Sequence, residues 1–448
     1  MQFELTREYL DEIREMIAEN NSAFIEDVIH LHPADIAEII DELDNDEAKF
    51  IYALLNHDLQ GDVLMELEDD VRQRFVETFN IDQLAQQLEN LDSDDAVDIL
   101  GEMSIVKQLE VISKMDSENA SELVDLLNYD EDTAGGLMQT EFIRVKLDWP
   151  INRCVIELRR QAEEVDKVHT IYVVDNDDKL VGLLSLRALL VANAKDLVKD
   201  VYKNKNMVYV YTNEDAEEVA RIMDKYDLVS VPVLDLQKKL VGRITIDDIV
   251  DVIREEADKD FQMASGISES VEYNASIWKM SRARLPWLMI GLMGGVLGSQ
   301  VIGNFETQIG KIPSLAFFIP LVAAMGGNVG VQSSAIVVQS IANGTNQFSS
   351  IFARVKREAG LGLLNGVICS SFIFLITWLL QDIKLGISVS IALFIVIVFA
   401  AIFGTLIPLA LHKYKIDPAV ATGPFITTLN DVVGLFIYFA VGMLVFGL

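Results

Sequence analysis

Thr422-Gly-Pro-Phe-Ile-Thr-Thr-Leu-Asn-Asp431 lies inside Ile416–Leu448, a mostly apolar run long enough to cross a bilayer. It ends on a carboxylate. Aspartate at the centre of a spanning helix costs about 2.5–3.5 kcal/mol on insertion scales, so such residues line polar cavities or ion paths. The distance of Asp431 from both ends of the run predicts a position near mid-membrane. Hydroxyls (Thr427, Thr428), an amide (Asn430) and a helix-breaking Gly423-Pro424 pair lie beside it. The C-terminal part of the chain is therefore a membrane domain, and Asp431 is a candidate cation ligand.

Working outward, five spans fit the apolar runs at about 285–305, 313–341, 357–380, 386–411 and 417–447. Lys279, Arg282 and Arg284 precede the first; Arg354, Lys356 and Arg357 lie between the second and third; His412, Lys413 and Lys415 lie between the fourth and fifth. Basic clusters in alternate connections predict an inside N-terminus and an outside C-terminus. The second span is expected to be interrupted at Gly326-Gly-Asn-Val-Gly-Val-Gln-Ser-Ser334, as the fifth is at Gly423-Pro424. Non-helical backbone at membrane depth survives only when buried in protein or lining water. Asn328, Gln332, Asn430 and Asp431 form an expected polar set, with Mg2+ held through its hydration shell by one or two carboxylates. A five-helix bundle is small, which favours a pore at a two-fold interface.

The formal charge of −33 is uneven: residues 1–280 hold 27 Lys+Arg against 64 Asp+Glu, and residues 281–448 hold 9 against 5. An acidic water-soluble half thus precedes the membrane half. Such a half repels nucleic acid and anionic headgroups, and its natural small partners are cations. Cys154 and Cys369 fall in different halves and make no disulfide framework. The charged start Met1-Gln-Phe-Glu-Leu-Thr-Arg-Glu does not resemble a cleavable signal, so the acidic half is expected in the cytoplasm.

Residues 1–135 read as an all-helical domain, in which Leu43-Asp-Asn-Asp, Leu67-Glu-Asp-Asp, Leu91-Asp-Ser-Asp and Met115-Asp-Ser-Glu recur every 24 residues. Each pairs an apolar anchor with polar residues suited to capping the next helix. Helical pairs at this period stack into a short superhelix. Most of the acidic caps read as solvated surface, with Asp94 and Asp95 as candidate cation contacts.

Residues 136–258 alternate short β-branched runs with helices and repeat with a 60-residue period (136–199 and 200–258). Tyr172-Val-Val-Asp-Asn-Asp-Asp-Lys-Leu-Val-Gly-Leu-Leu-Ser185 aligns with Pro232-Val-Leu-Asp-Leu-Gln-Lys-Lys-Leu-Val-Gly-Arg-Ile-Thr245. The pattern resembles a tandem pair of CBS domains, modules that often bind adenine nucleotides. The resemblance implies a ribose-binding Thr245 and Asp248 in the second copy; the first has Ser185 and Ala188 instead.

Asp248, Asp251 and Glu255 share a helical face within an acid-rich run reaching Asp260, where like charges repel by a few tenths of a kcal/mol per pair. A divalent cation would relieve that repulsion; a solvated face is the alternative. A connecting helix is expected over 259–284, formed around 268–283, before the membrane domain at 285–448.

Taken together, the chain resembles the MgtE-type magnesium channels over nearly its whole length. Two motifs carry the resemblance: Pro320 through Gly326-Gly-Asn-Val-Gly-Val-Gln-Ser, and Asp417-Pro with Pro424-Phe-Ile-Thr-Thr-Leu-Asn-Asp-Val-Val-Gly434. The resemblance implies a homodimer in which Asp431 holds hydrated Mg2+ in the pore. It also implies that cytosolic Mg2+ closes the channel by bridging acids at Glu217, Asp227, Asp248, Asp251, Glu256, Asp260 and Asp417. Lys259 departs from the family's acid. The expected architecture is thus a superhelical all-α domain, an α/β CBS pair, a linking helix and a five-helix transmembrane bundle in the inner (plasma) membrane. A coupled carrier exchanging Mg2+ for Na+ or H+ is the nearest alternative, and a membrane-anchored sensor a more distant one. No enzyme is expected: five histidines lack metal-ligand spacing and no P-loop appears.

Overall fold

The computed structural model describes residues 3–19, 28–162, 165, 167–268, 271, 276–342, 350–380, 383–421 and 423–447. The chain divides into two compact units, Met1–Arg254 and Glu255–Leu448.

In the first unit, short helices run from Arg7–Ala18 and from Pro33–Asp41 to Ser117–Leu126. The Asp44 cluster caps as expected: Asp44 Oδ1 accepts from the Glu47 amide, and Glu47 Oε2 accepts from the Asp44 amide. Glu68 and Asp92 make no such side-chain cap. Caps instead fall on the other helix of each pair, at His32, Asn56, Asn80 and Ser104, again 24 residues apart. Their side chains satisfy amides that helix starts leave unpaired.

Two three-stranded sheets follow with one topology. Strand β1 (Ile143–Lys146) pairs parallel with β2 (Ile171–Val174), which pairs antiparallel with β3 (Leu180–Leu184). Strands β4 (Val210–Tyr211), β5 (Ser230–Leu234) and β6 (Leu240–Thr245) repeat this order. Both antiparallel pairs carry a register shift at the same repeat position, Val173/Val174 and Val233/Leu234. Asp178 and Lys238, 60 residues apart, both take positive φ in the intervening turn. The core of the helical domain is continuous with the second copy, through Val210, Met223, Val231, Ile244 and Ile249. The first copy has its own core, and Tyr172, Val174, Leu180, Leu234 and Leu240 join the copies.

The second unit holds five helices long and apolar enough to cross a membrane: Ile277–Asn304, Pro313–Ala342, Ile351–Leu379, Ile383–Lys413 and Pro424–Phe446, called spans 1 to 5. Span 4 packs against spans 2, 3 and 5, while span 5 also packs against spans 1 and 2. Tyr438 donates to the Leu315 carbonyl (2.8 Å), and Phe305 stacks on Phe439.

Two expectations are corrected. Span 2 is not interrupted at 326–334: an α-helix runs unbroken through Ile319–Ala342, and the irregular turn comes earlier, at Pro313–Phe318. Its glycines serve close approach instead. A Cβ on Gly330 would lie 1.9 Å from Asn430 Nδ2, and one on Gly404 would lie 2.4 Å from the Gly330 carbonyl oxygen. The connecting helix over 259–284 is also not one helix. The helix begun at Ile246 ends at Ala264, and span 1 starts at Ile277. Gly266, at φ +83°, stops it: its amide bonds to Met263 O and the Ile267 amide to Gln262 O. That pair of bonds is the usual left-handed glycine stop. Residues 269–270 and 272–275 of the expected linker lie outside the described residues. The break at Gly423-Pro424 is present, with a short 3-10 turn at Pro418–Ala421 before it.

Gly404→Ala is expected to force spans 2 and 4 apart, because the obstructing atom is backbone. The cost should be about 1–3 kcal/mol, read as a lower melting midpoint in detergent. Gly295→Ala, with nothing within 4 Å, should not lower it.

Candidate functional site

Asp431 is the eighth residue of the helix that begins at Pro424, roughly 10 Å from the break at 1.5 Å rise per residue. It lies nearer that end than the uninterrupted run suggested. Its Oδ1 is buried without a hydrogen-bonding partner, and it faces Gly327 of span 2, where an added Cβ would lie 3.5 Å away. Thr427 shares this contact with Gly327 and donates its hydroxyl to Gly423 O at 3.0 Å. Asn430 is 1% exposed and presses on Gly330; neither amide atom has a hydrogen-bonding partner.

The other expected pore residues are not gathered here. Thr428 packs on Gly294 of span 1. Asn328 and Gln332, one helical turn apart, are exposed on the face of span 2 turned away from the bundle. Sequence alone missed Glu358, which was masked by its neighbours Arg354, Lys356 and Arg357. It is buried in span 3 and accepts from Ser333 Oγ of span 2 at 3.3 Å.

In the first unit, Ser93–Gly101 brings Asp94, Asp95 and Asp98 close to Asp248 on the helix after β6. Burial pushes the Asp94 carboxyl well above its usual range, and the charges of Asp248 and Asp95 add to this. Burial, with Asp248 next, raises Asp95 to about 7. Asp98 is raised to about 7 by burial, against the lowering effect of Arg72. Asp248 is raised to about 6, mainly by burial. Two residues not anticipated from sequence hold this cluster. Arg243, 3% exposed, donates Nε to Gln139 Oε1 (2.7 Å), and Gln139 donates Nε2 to Asp94 Oδ2 (3.1 Å). Their signal was weak: a basic residue in an otherwise apolar strand.

Glu217 and Asp227 do not join this cluster with each other. They stand at opposite ends of Ala216–Tyr226, with Asp227 the left-handed cap. Asp251 acts on Asp248 through its charge. In the second unit, burial raises the Asp260 carboxyl, and Asp417 and Glu256 raise it further. Lys259, the departure noted in sequence, donates to Glu256 Oε1 at 2.8 Å. Glu255 lies exposed on the same helix, and Asp417 Oδ1 accepts from the Ala419 amide. Gly266 meets the Pro424 ring, and Ala264 O stands 2.4 Å from where a Gly423 Cβ would be. The stop of the long helix is thus seated on the break that opens span 5. Among the described residues, no three His, Cys, Asp or Glu converge as direct ligands on one point. Acids spaced this way suit a cation that keeps its water.

Thr245 and Asp248 satisfy one another: Thr245 Oγ1 donates to Asp248 Oδ2 at 2.7 Å, and Thr245 is buried. In the first copy Ser185 caps its helix by accepting from the Ala188 amide. The cavity of the second copy, about 330 Å³, is lined elsewhere, by Met207, Tyr209, Arg221, Lys225 and Tyr226 among others.

A family profile described as a divalent cation transporter matches residues 319–441; one for the MgtE intracellular N domain matches 31–132, and the CBS domain profile matches 134–195 and 198–255. A magnesium transporter MgtE of Bacillus subtilis is 31% identical over 413 residues, covering 92% of this chain and 91% of its own. One from Thermus thermophilus is 31% identical over 441 residues, covering 96% and 97%. Among solved structures, the cytosolic domain of the Mg2+ channel MgtE in complex with ATP is similar at a TM-score of 0.52 and 33% identity. It covers 54% of this chain and 99% of that one.

Carboxyls raised in the folded state stabilise it below their unfolded value, near 4, and that contribution is lost as pH rises through the folded values. For Asp95, Asp98 and Asp248 the loss runs through about 6 to 7. Without divalent cations the full-length protein should therefore melt lower at pH 8 than at pH 5.5. Mg2+ should raise the pH 8 midpoint more than the pH 5.5 midpoint, because it competes with protons for the same oxygens. Equal effects of Mg2+ at both pH values would contradict this.

Proposed function

This chain belongs to the MgtE family of magnesium transporters, and from that premise we propose that it passes Mg2+ into the cell as a channel closed by internal Mg2+. One observation carries the proposal: a carboxylate oxygen and a whole amide buried among membrane helices without protein partners. Each such group costs about 1–3 kcal/mol when left unsatisfied, and water or a hydrated cation removes that cost. Asp431 then provides the charge for the ion, and Thr427 and Asn430 contact its water shell. An inward-negative potential contributes about 4.6 kcal/mol per 100 mV for a divalent ion, twice the single-charge figure. No nucleotide hydrolysis is needed, and the protein is a transporter rather than an enzyme.

A homodimer is part of the proposal. Asn328 and Gln332 are exposed on span 2, and amides facing hydrocarbon are expensive. A second copy covering that face relieves the cost and brings these amides to the conduit. The N-terminus lies inside and the C-terminus outside, following the basic clusters.

Gating follows from the acids. At low internal Mg2+, Asp94, Asp95, Asp251 and Asp248 repel one another, as do Glu256, Asp260 and Asp417. Bound Mg2+ screens both groups and favours the compact form, in proportion to its preference for that form. The second group stands at the seat of the long helix on Gly423-Pro424, which links ion binding to span 5. An adenine nucleotide at the CBS pair is a further regulatory ligand in this proposal. Its support is the ATP complex of a solved relative and Lys225 in the second-copy cavity, where Arg221 is already paired with Glu218.

A coupled carrier has one observation in its favour, a second acid, Glu358, buried within the membrane spans. Glu358→Gln separates the two: a channel keeps Mg2+ flux without a proton gradient, and a carrier loses it.

Asp431→Asn should abolish Mg2+ uptake in reconstituted vesicles while the protein still assembles; normal uptake removes Asp431 from the path. Neutralising Asp248, Asp251 and Glu256 together should leave current flowing at high internal Mg2+ in patch recordings. Unchanged closure would reduce them to a solvated face.

A further inference from the structure

One backbone bridge occurs twice beside the paired sheets, once in each copy. Leu183 and Lys203 exchange both amide bonds (2.9 and 2.8 Å), and Gln139 and Arg243 do the same (2.9 Å each). Each bridge closes on a glycine: a Cβ on Gly182 would lie 2.6 Å from Lys203 O, and one on Gly242 would lie 2.9 Å from Gln139 O. The bridge therefore belongs to the fold of either copy. Its side chains do not. Leu183 stands where the second copy has Arg243, so an aliphatic residue is enough to complete it. Arg243 is 3% exposed, and a buried cation is costly unless its donors are used.

Lys167 O takes Nη1 of Arg243 (3.1 Å), and Nε donates to Gln139 Oε1 (2.7 Å). A guanidinium can only donate, so it fixes the orientation of the amide. With Oε1 turned to Arg243, Nε2 of Gln139 faces the helical domain and donates to Asp94 Oδ2 at 3.1 Å. The next two residues make a second attachment. Ser93 Oγ accepts from the Thr140 amide and hydroxyl (2.9 Å each) and donates to Glu141 Oε2 (2.8 Å). Ser93 and Asp94 are both buried, and Asp92 gives their helix no side-chain cap. Residues 138–141 thus grip the start of Ser93–Gly101 on one side and β6 on the other.

We infer that this segment is a latch that holds the acids of the helical domain against Asp248 before any cation binds, with Gln139 as its positioning residue. The inference rests on the Mg2+-closed channel proposed above, and it names what sets the internal Mg2+ at which that channel closes. Like charges brought together repel, so a cation finds the cluster assembled only in the fraction of molecules where other bonds hold it. Apparent affinity scales with that fraction. Gln139 and Ser93 supply those bonds to the helix that carries Asp94, Asp95 and Asp98. In the first copy, which has Leu183 and Lys203 at the bridge, no such grip is built.

Gln139→Glu is the discriminating variant, because it keeps a partner for Arg243 and replaces the donor facing Asp94 with an acceptor. In patch recordings of the full-length protein it should raise the internal Mg2+ for half-closure about tenfold, the scale of one hydrogen bond to a charged group. The Mg2+ needed for half-maximal thermal stabilisation in detergent should rise by the same factor. Ser93→Ala should shift both values in the same direction. A purely structural role for Gln139 would lower the metal-free melting midpoint and leave both Mg2+ values unmoved. That result, in a parent protein that closes with Mg2+, overturns the latch and leaves the channel reading standing. A parent protein that never closes with Mg2+ overturns both.

Discussion

An amide and a carboxylate are buried between membrane helices without protein partners, and spans 2, 4 and 5 pack closely around them. Gly327 and Gly330 carry no side chain where Thr427, Asp431 and Asn430 come in, and Gly404 lets span 4 close behind them. The helix of span 2 is kept whole while this happens. Its backbone groups therefore stay satisfied internally, which lipid requires. The polar demand is concentrated on the side chains of Asn430 and Asp431.

The acids of the first unit are governed by desolvation as well. Asp94, Asp95, Asp98 and Asp248 are crowded and partly shielded from water, so they hold protons more strongly than free carboxyls. Protonation relieves the repulsion within the cluster. The chain Arg243 to Gln139 to Asp94 fixes the innermost acid. It leaves Asp95 and Asp98 to respond to what solution supplies.

Periodicity was the most legible property of the sequence. A 24-residue repeat revealed the superhelix, and a 60-residue repeat revealed two sheets whose register irregularities even coincide. Apolar length marked the five spans. What sequence could not resolve was the use made of glycine. Gly326-Gly327 and Gly330 are equally compatible with a broken helix and a closely packed one, and only the neighbours Asn430 and Gly404 decide. The direction of Asn328 and Gln332 depended likewise on which helices flank span 2. Glu358 was hidden by the basic residues around it, although its side chain turns inward to Ser333. The inward placement of Asp431 among membrane helices was legible, because a carboxylate facing lipid is costly.

The seat of the long helix on the start of span 5 has one further consequence. Ala264 O already stands 2.4 Å from the point a Gly423 Cβ would take, and Gly423 has positive φ, so the joint admits only glycine and any larger residue would unseat the long helix from span 5.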